Sequence, residues 1–240
     1  METTQNHNNL FSKSVDAEKV DAKEKLFKTD AQAKSSREKL FQDKPFFAEV
    51  IESNLQGFTA QCWKWDNFAE FGSLIQVDSG KNTVLGCVTQ VQTGSQDPMR
   101  SPFPYQKTEA ELLAEQPQIF EFLRTTFTVQ ILGYIDKNQN KIFYLLPPVP
   151  CKIHSFAKEC SNDIVESFFK EQFYLHILFK FLNQNPNFDE LLLAILNRLS
   201  SQNMLTQNML EDFYQTLSLL TGNDYRRLKL FLTRVQKLTL

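Results

Sequence analysis

The stretch Tyr144-Leu145-Leu146-Pro147-Pro148-Val149-Pro150-Cys151-Lys152-Ile153-His154, or YLLPPVPCKIH, decides how the chain divides. An apolar, strand-like run here meets three prolines within four residues. Proline has no backbone N–H for a β ladder, and its fixed φ of about −65° favours a stiff, extended path. We therefore predict an elbow at Pro147, Pro148 and Pro150, with sheet before it and only helix after it.

The side chains after the prolines allow two interpretations. In the favoured one, Ile153 and Phe156 enter an interface between barrel and helices, and His154 satisfies a backbone carbonyl. In the other, Cys151 and His154, spaced C-x-x-H, join Cys160 in a zinc site or a nucleophilic centre. Structural zinc sites commonly use closely spaced ligand pairs, and the chain has no C-x-x-C, so we predict no metal.

Residues 46–150 alternate apolar and polar side chains between turn signals, which is typical of a small antiparallel barrel or sandwich. The predicted strands are Phe47–Ser53, Phe58–Trp65, Phe71–Val77, Thr83–Val91, Thr126–Tyr134 and Lys141–Leu146. A proline-rich loop, Gly94–Pro104, interrupts them. Thr108 and Glu111 have capping-box spacing, which predicts an inserted helical segment over 108–124, kinked or divided at Pro117.

The two ends of the chain differ in composition. Residues 1–44 mix acidic and basic side chains with few apolar ones, so they cannot bury enough surface to offset chain entropy. After residue 160, apolar residues recur at helical spacing behind capping residues, which predicts four amphipathic helices in a compact bundle. The sequence thus predicts an α+β protein with a disordered charged leader at 1–44, a barrel at 45–156 and a helical bundle at 157–240.

Composition excludes several classes of protein. The 240 residues include 26 Lys and Arg and 28 Asp and Glu, a net charge of −2, so there is no general basic field for nucleic acid. Glycine is scarce, at 7 residues, and neither G-x-x-x-x-G-K-[ST] nor G-x-G-x-x-G occurs. We therefore predict a non-enzymatic protein without a cofactor.

The location of the protein is predicted from the same kind of observation. The N-terminus has no apolar core of a secretory signal, and no apolar run approaches the roughly 18 residues of a membrane span. The four cysteines are typical of free thiols in a reducing compartment. We expect a cytoplasmic protein without a membrane span.

Three strand segments resemble the HAS-barrel, the small barrel at the N-termini of HerA-type DNA translocases and rotary ATP synthase subunits. They are Phe47-Ala-Glu-Val-Ile-Glu-Ser53, Phe71-Gly-Ser-Leu-Ile75 and Val84-Leu-Gly-Cys-Val-Thr-Gln-Val91. Ala48 stands where that family often has glycine. Residues 46–240, with Leu145–Phe156 and Asn223–Leu228, are similar to stand-alone HAS-barrel proteins of cyanobacteria. The resemblance implies a docking or assembly part without the ATP-hydrolysing motor.

Two groups of residues are predicted to bind partners. Loops on rigid scaffolds often carry binding, and aromatic and Arg side chains are common at interface hot spots. A partner protein is therefore predicted at the barrel rim and inserted loop, through Asp97, Arg100, Tyr105, Trp63 and Trp65. A basic face for phosphate or an acidic partner is predicted on the last helix, at Arg226, Arg227, Lys229 and Arg234. An accessory role on nucleic acid is the alternative, and a homo-oligomer is left open.

Overall fold

The structure is a computed structural model that describes residues 46–97, 99, 102–182, 187–222 and 224–237. The predicted leader, residues 1–44, and the predicted contact residue Arg100 lie outside the described residues. Phe46–Leu240 forms one compact unit.

Six antiparallel strands close into a barrel, which confirms the barrel over the sandwich. The described residues contain these six strands and a seventh, β6: β1 (Ala48–Ser53), β2 (Gly57–Cys62), β3 (Leu74–Ser79), β4 (Asn82–Ser95), β5 (Leu123–Asp136), β6 (Lys141–Phe143) and β7 (Phe156–Glu159). Around the barrel the order is β1, β2, β5, β4, β3 and β7, which returns to β1. Among the residues described, β6 pairs with β5 alone and lies outside the closed ring.

The last strand of the barrel corrects the prediction that only helix follows the prolines. β7 pairs with β1 through Ala157 and Ala48, and with β3 through Ala157 and Val77. It has four residues, of which only Ala157 is buried, so it has almost no periodic pattern to detect. The backbone pairing available between β1 and β3 determines this strand, and that pairing is visible only once the barrel is assembled.

Two connections cross the ends of the barrel. β2 and β3 lie three positions apart in either direction around the ring, as do β5 and β7, so each pair is diametrically opposed. Residues 63–73 join β2 to β3 across one end, and residues 144–155 lead from β6, beside β5, to β7 across the other. Each crossing places one small side chain in the barrel interior, Ala69 in the first and Cys151 in the second. We call these the insertion end and the proline end.

The helices lie outside the barrel. They are α1 (Glu109–Glu115), α2 (Gln118–Glu121), α3 (Asn162–Phe169), α4 (Phe173–Leu182), α5 (Phe188–Ser201), α6 (Gln207–Leu220) and α7 (Tyr225–Gln236). The inserted segment is divided at Pro117, and Thr108 and Glu111 form the predicted capping box. Five helices follow the barrel among the described residues, where four were predicted, since the first predicted helix is divided: α3 ends at Phe169 and α4 begins at Phe173.

Side chains of the barrel strands belong to two apolar clusters. One fills the barrel interior, and the other lies between the helices and the outer faces of β3, β4 and β5, at Leu74, Leu85 and Leu132. The predicted interface residues Ile153 and Phe156 are instead 48% and 38% exposed. The prediction for these two side chains is wrong because both lie on the opposite side of the ring from β4 and β5.

The backbone of Gly72 lies close against α5. Its φ is +82°, and an added Cβ would lie 2.9 Å from the Cβ of Ala194, whereas Gly80 has φ +79° and open space around it. Gly80→Ala therefore adds only the left-handed backbone cost of about 1–2 kcal/mol. We expect Gly72→Ala to be worse by a further ~1–3 kcal/mol of overpacking, measured by urea unfolding. Equal losses for the two variants would contradict a close contact between Gly72 and α5.

Candidate docking surface

Exposed aromatic side chains collect at the insertion end of the barrel. This end carries the 63–73 connection and the 96–122 insertion between β4 and β5. The exposed members are Trp63 (43%), Phe68 (46%), Phe103 (70%), Tyr105 (39%) and Phe122 (60%). We call these five residues the aromatic rim. Surface aromatics concentrated in this way are typical of interaction sites.

Trp65 joins the two segments that form the rim. Its ring stacks on Phe120 of α2 with a centroid distance of 5.6 Å. Its backbone carbonyl accepts a 2.5 Å hydrogen bond from the hydroxyl of Thr125, at the start of β5. Because both contacts reach across from the connection to the insertion, Trp65 helps to position the rim, and its own side chain is only half exposed.

The Trp63 side chain contacts a different part of the barrel, strand β7. Its ring packs edge-on against Phe156 of β7 at 5.4 Å, and Phe156 in turn contacts Phe46 at 5.7 Å. The ammonium of Lys158 lies over the Phe46 ring at 5.2 Å. The structure therefore places the predicted residues Trp63 and Trp65 at the same end but in separate aromatic contacts.

Short-range contacts order the insertion itself. The Thr108 hydroxyl accepts from the Glu111 amide at 3.3 Å, and a Glu111 carboxylate oxygen accepts from the Thr108 amide at 2.8 Å. Tyr105 packs edge-on against Phe103 at 5.5 Å. Asp97, also predicted as a contact residue, accepts from the Met99 amide at 2.9 Å, so its carboxylate helps to form a turn.

Two rim residues were missed at the level of sequence. Phe103 lies between Pro102 and Pro104, where no periodicity assigns a buried face. Phe122 immediately precedes β5 and is 60% exposed although it continues an apolar run. A large aromatic residue confined between two prolines was the available signal for Phe103. Phe122 offered no signal, since its exposure depends on how the insertion joins the barrel.

The charges beside the rim are mostly negative. The carboxylates in the described parts of the two segments are Asp66, Glu70, Asp97, Glu109, Glu111, Glu115 and Glu121, whereas the bases there are Lys64 and Lys107. Lys107 is paired with Glu115. A negative field of this kind repels phosphate backbones and attracts basic protein surfaces.

Half of the predicted basic face on α7 is engaged within the molecule. Arg227 forms a bidentate pair with Asp189 of α5, with its closest contact at 2.6 Å, and Arg234 forms one with Glu190 at 2.5 and 2.7 Å. These pairs join α7 to the first turn of α5. Arg226 and Lys229 are exposed. The face is therefore less available to an external phosphate than the sequence alone suggested.

The zinc site and the nucleophilic centre considered for Cys151, His154 and Cys160 have little support in the structure. The Nδ1 atom of His154 lies 2.5 Å from a carboxylate oxygen of Glu49, and the His154 amide donates to the carbonyl of Val50 at 2.9 Å. The prediction that the His154 side chain satisfies a backbone carbonyl is therefore wrong, because the ring lies against a carboxylate on β1 and only the backbone amide reaches a carbonyl. Among the described residues, no three His, Cys, Asp or Glu side chains are grouped to hold a metal ion.

The cysteines should react slowly in the native protein. Desolvation by burial raises the pKa of Cys62 and Cys87 to about 12 and that of Cys151 to about 11, and it also raises the pKa of Cys160. The nucleophilic thiolate is thus scarce at neutral pH, and reaction with a disulfide reagent should accelerate only as the pH rises toward 11. We expect slow labelling of the native chain and four reactive thiols after unfolding. One thiol that reacts rapidly at neutral pH would support a nucleophilic cysteine instead.

Comparison with known proteins assigns no relative. No protein-family model matches the chain, and no curated protein matches it significantly. The part of the chain that the structure describes has no helix of sufficient length and apolarity to cross a membrane.

Proposed function

We propose that this chain is a non-enzymatic docking or assembly protein that binds a partner protein at the insertion end of its barrel. The observation that carries the proposal is the aromatic rim, whose five side chains remain between 39% and 70% exposed. Aromatic side chains supply large contact areas at little cost in conformational entropy and dominate the central contacts of protein interfaces. The barrel beneath is closed, so the rim rests on a rigid support.

The charges near the rim favour a protein partner over a nucleic acid. Proteins that bind single strands combine aromatic platforms with a positive groove, whereas carboxylates outnumber bases in the described residues beside this rim. A partner surface with basic residues around an apolar centre would complement both features.

The resemblance to HAS-barrels supports the same proposal. In the ATPases of that family the barrel lies at one end of a ring and helps to hold subunits together, while another domain hydrolyses ATP. The likeness implies a small β-barrel, and the closed antiparallel barrel of this chain is consistent with that expectation. The proposal extends the likeness to that family from a similar architecture to a similar role in holding proteins together.

The test is an affinity capture from native lysate with a matched set of variants. Phe103→Ala with Phe122→Ala removes the two most exposed rim side chains and should abolish recovery of a partner that the unmodified chain captures. Leu219→Ala with Leu230→Ala, at 76% and 70% exposed, removes apolar area from α6 and α7 and should leave recovery unchanged. Equal recovery with both double variants would overturn the proposal.

The nucleic-acid alternative has its own readout. Fluorescence titration with single-stranded and duplex nucleic acid, at low and moderate salt, should show only weak binding. Tight binding with a steep salt dependence, abolished by Arg226→Ala with Arg227→Ala, would replace the protein partner with a nucleic acid. Arg227→Ala also removes the pair with Asp189, so Arg226→Ala alone serves as the control that retains this contact.

A further inference from the structure

Within the part of the chain that the structure describes, one edge of β4 has no neighbouring strand along part of its length. β3 pairs with β4 from Leu74 opposite Cys87 to Ser79 opposite Asn82, and two backbone hydrogen bonds between Val88 and the Gly72–Ser73 segment extend this contact. Beyond Val88, β4 continues to Ser95 and pairs only with β5. No other described segment forms a backbone hydrogen bond with residues 90–95 on the remaining edge.

This free edge is regular enough to accept another strand. After the irregularity between Val88 and Gln90, six consecutive residues pair with β5 without a shift, from Gln90 opposite Thr128 to Ser95 opposite Leu123. Gln90, Gln92 and Thr93 are exposed. A row of unsatisfied backbone donors and acceptors held straight by a partner strand is a template for strand addition.

The composition of the edge is compatible with pairing to a second copy of itself. The sequence Gln90-Val-Gln-Thr-Gly-Ser95 contains no charged residue and no proline, the residues by which natural edges usually avoid pairing. When such an edge pairs with itself in antiparallel orientation, it meets no like charge. Gln and Thr side chains both donate and accept, so they can also face their own kind across a two-fold axis.

We propose that two copies of this chain pair through the free edge of β4 at residues 90–95, antiparallel about a two-fold axis. The two β4–β5 ribbons then form one four-stranded sheet, and each satisfies the backbone groups of the other. An isologous interface of this kind is the commonest arrangement in homo-oligomers. The proposal does not rest on the docking function, since it uses backbone groups of β4 and none of the aromatic rim.

Sedimentation velocity over a concentration series tests the dimer. The mass of the full chain should rise from 27.9 kDa toward twice that value. Gln90→Lys with Gln92→Lys brings like charges together at the edge and should weaken self-association by about tenfold or more. Asn138→Lys with Gln139→Lys places two lysines in the exposed β5–β6 turn and should leave the dimer intact. An unmodified chain that stays monomeric, or a dimer unaffected by Gln90→Lys with Gln92→Lys, would overturn the proposal.

A charge-swap mixture separates self-pairing from binding to another protein. Gln90→Glu with Gln92→Glu should also be monomeric, and mixing it with the lysine variant should restore a dimer. Failure of the mixture to associate would refute pairing at this edge.

Hydrogen exchange tests the proposal on the unmodified protein, so the result does not depend on whether a variant folds. Amides of residues 90–95 should become more protected as protein concentration rises. Protection that is independent of concentration, or that appears only when a different protein is added, would exclude a second copy as the occupant.

Discussion

Phe127→Ala is expected to lower the free energy of unfolding by about 3–5 kcal/mol, as complete removal of a buried phenyl ring does in other cores. Phe127 is 1% exposed in the barrel interior, and its ring stacks on Phe47 with a centroid distance of 5.6 Å. Its strand pairs with β2 on one side and with β4 on the other, opposite Ala60 and Val91. The surrounding backbone therefore cannot collapse readily into the cavity. Urea unfolding, extrapolated linearly to water, measures the loss.

Phe122→Ala is the matched control for this change. Phe122 lies next to β5 in the chain but is 60% exposed, so its removal should change stability by no more than about 0.5 kcal/mol. Similar losses for the two alanine variants would contradict the assignment of Phe127 to the barrel interior.

Leu132→Ala should cost about 2–5 kcal/mol and should affect barrel and helices together. Leu132 is fully buried on the same strand, but it belongs to the cluster between barrel and helices, with Phe168 and Leu175. Both tryptophans, Trp63 and Trp65, lie in the connection that crosses the barrel, so fluorescence reports the barrel. Far-UV circular dichroism mainly reports the helices. In the Leu132→Ala variant, fluorescence and circular dichroism should change at one common urea concentration. That concentration should be lower than for the unmodified chain.

Leu230→Ala provides the control on the helical side. Leu230 is 70% exposed on α7, so its removal should leave the urea midpoint nearly unchanged. Two separate transitions, one in fluorescence and one in circular dichroism, would show that the barrel unfolds independently of the helices. Such a result would contradict a core shared between them.

Local chemistry explains why much of the fold could be predicted. Alternation of apolar and polar residues identified β1, and runs of apolar and β-branched residues between turn signals identified β3 and the barrel part of β4. The capping box at Thr108 and Glu111 was predicted because its two hydrogen bonds lie within one helical turn. The antiparallel barrel, the inserted helices and the helices after the barrel are confirmed.

The candidate site was predictable only in part. The proline-rich insertion and the tryptophans of the 63–73 connection could be selected by residue type, and they do meet at one end of the barrel. The contact between Trp65 and Phe120 could not be selected, since it joins residues more than fifty positions apart, and the exposure of Phe122 depends on how the insertion joins the barrel. The same limitation applies to Arg227 and Arg234, whose carboxylate partners belong to another helix.

The sequence by itself determined where strands and helices form, because propensity, periodicity and capping act over a few neighbouring residues. Tertiary structure alone decided that Phe156–Glu159 completes the barrel, since this strand exists through backbone pairing with β1 and β3 rather than through its own side chains. It also decided which strands are buried on both faces. Leu85 and Leu132 contact helices that follow them by tens of residues, and no local pattern can specify which face of a closed barrel those helices will cover.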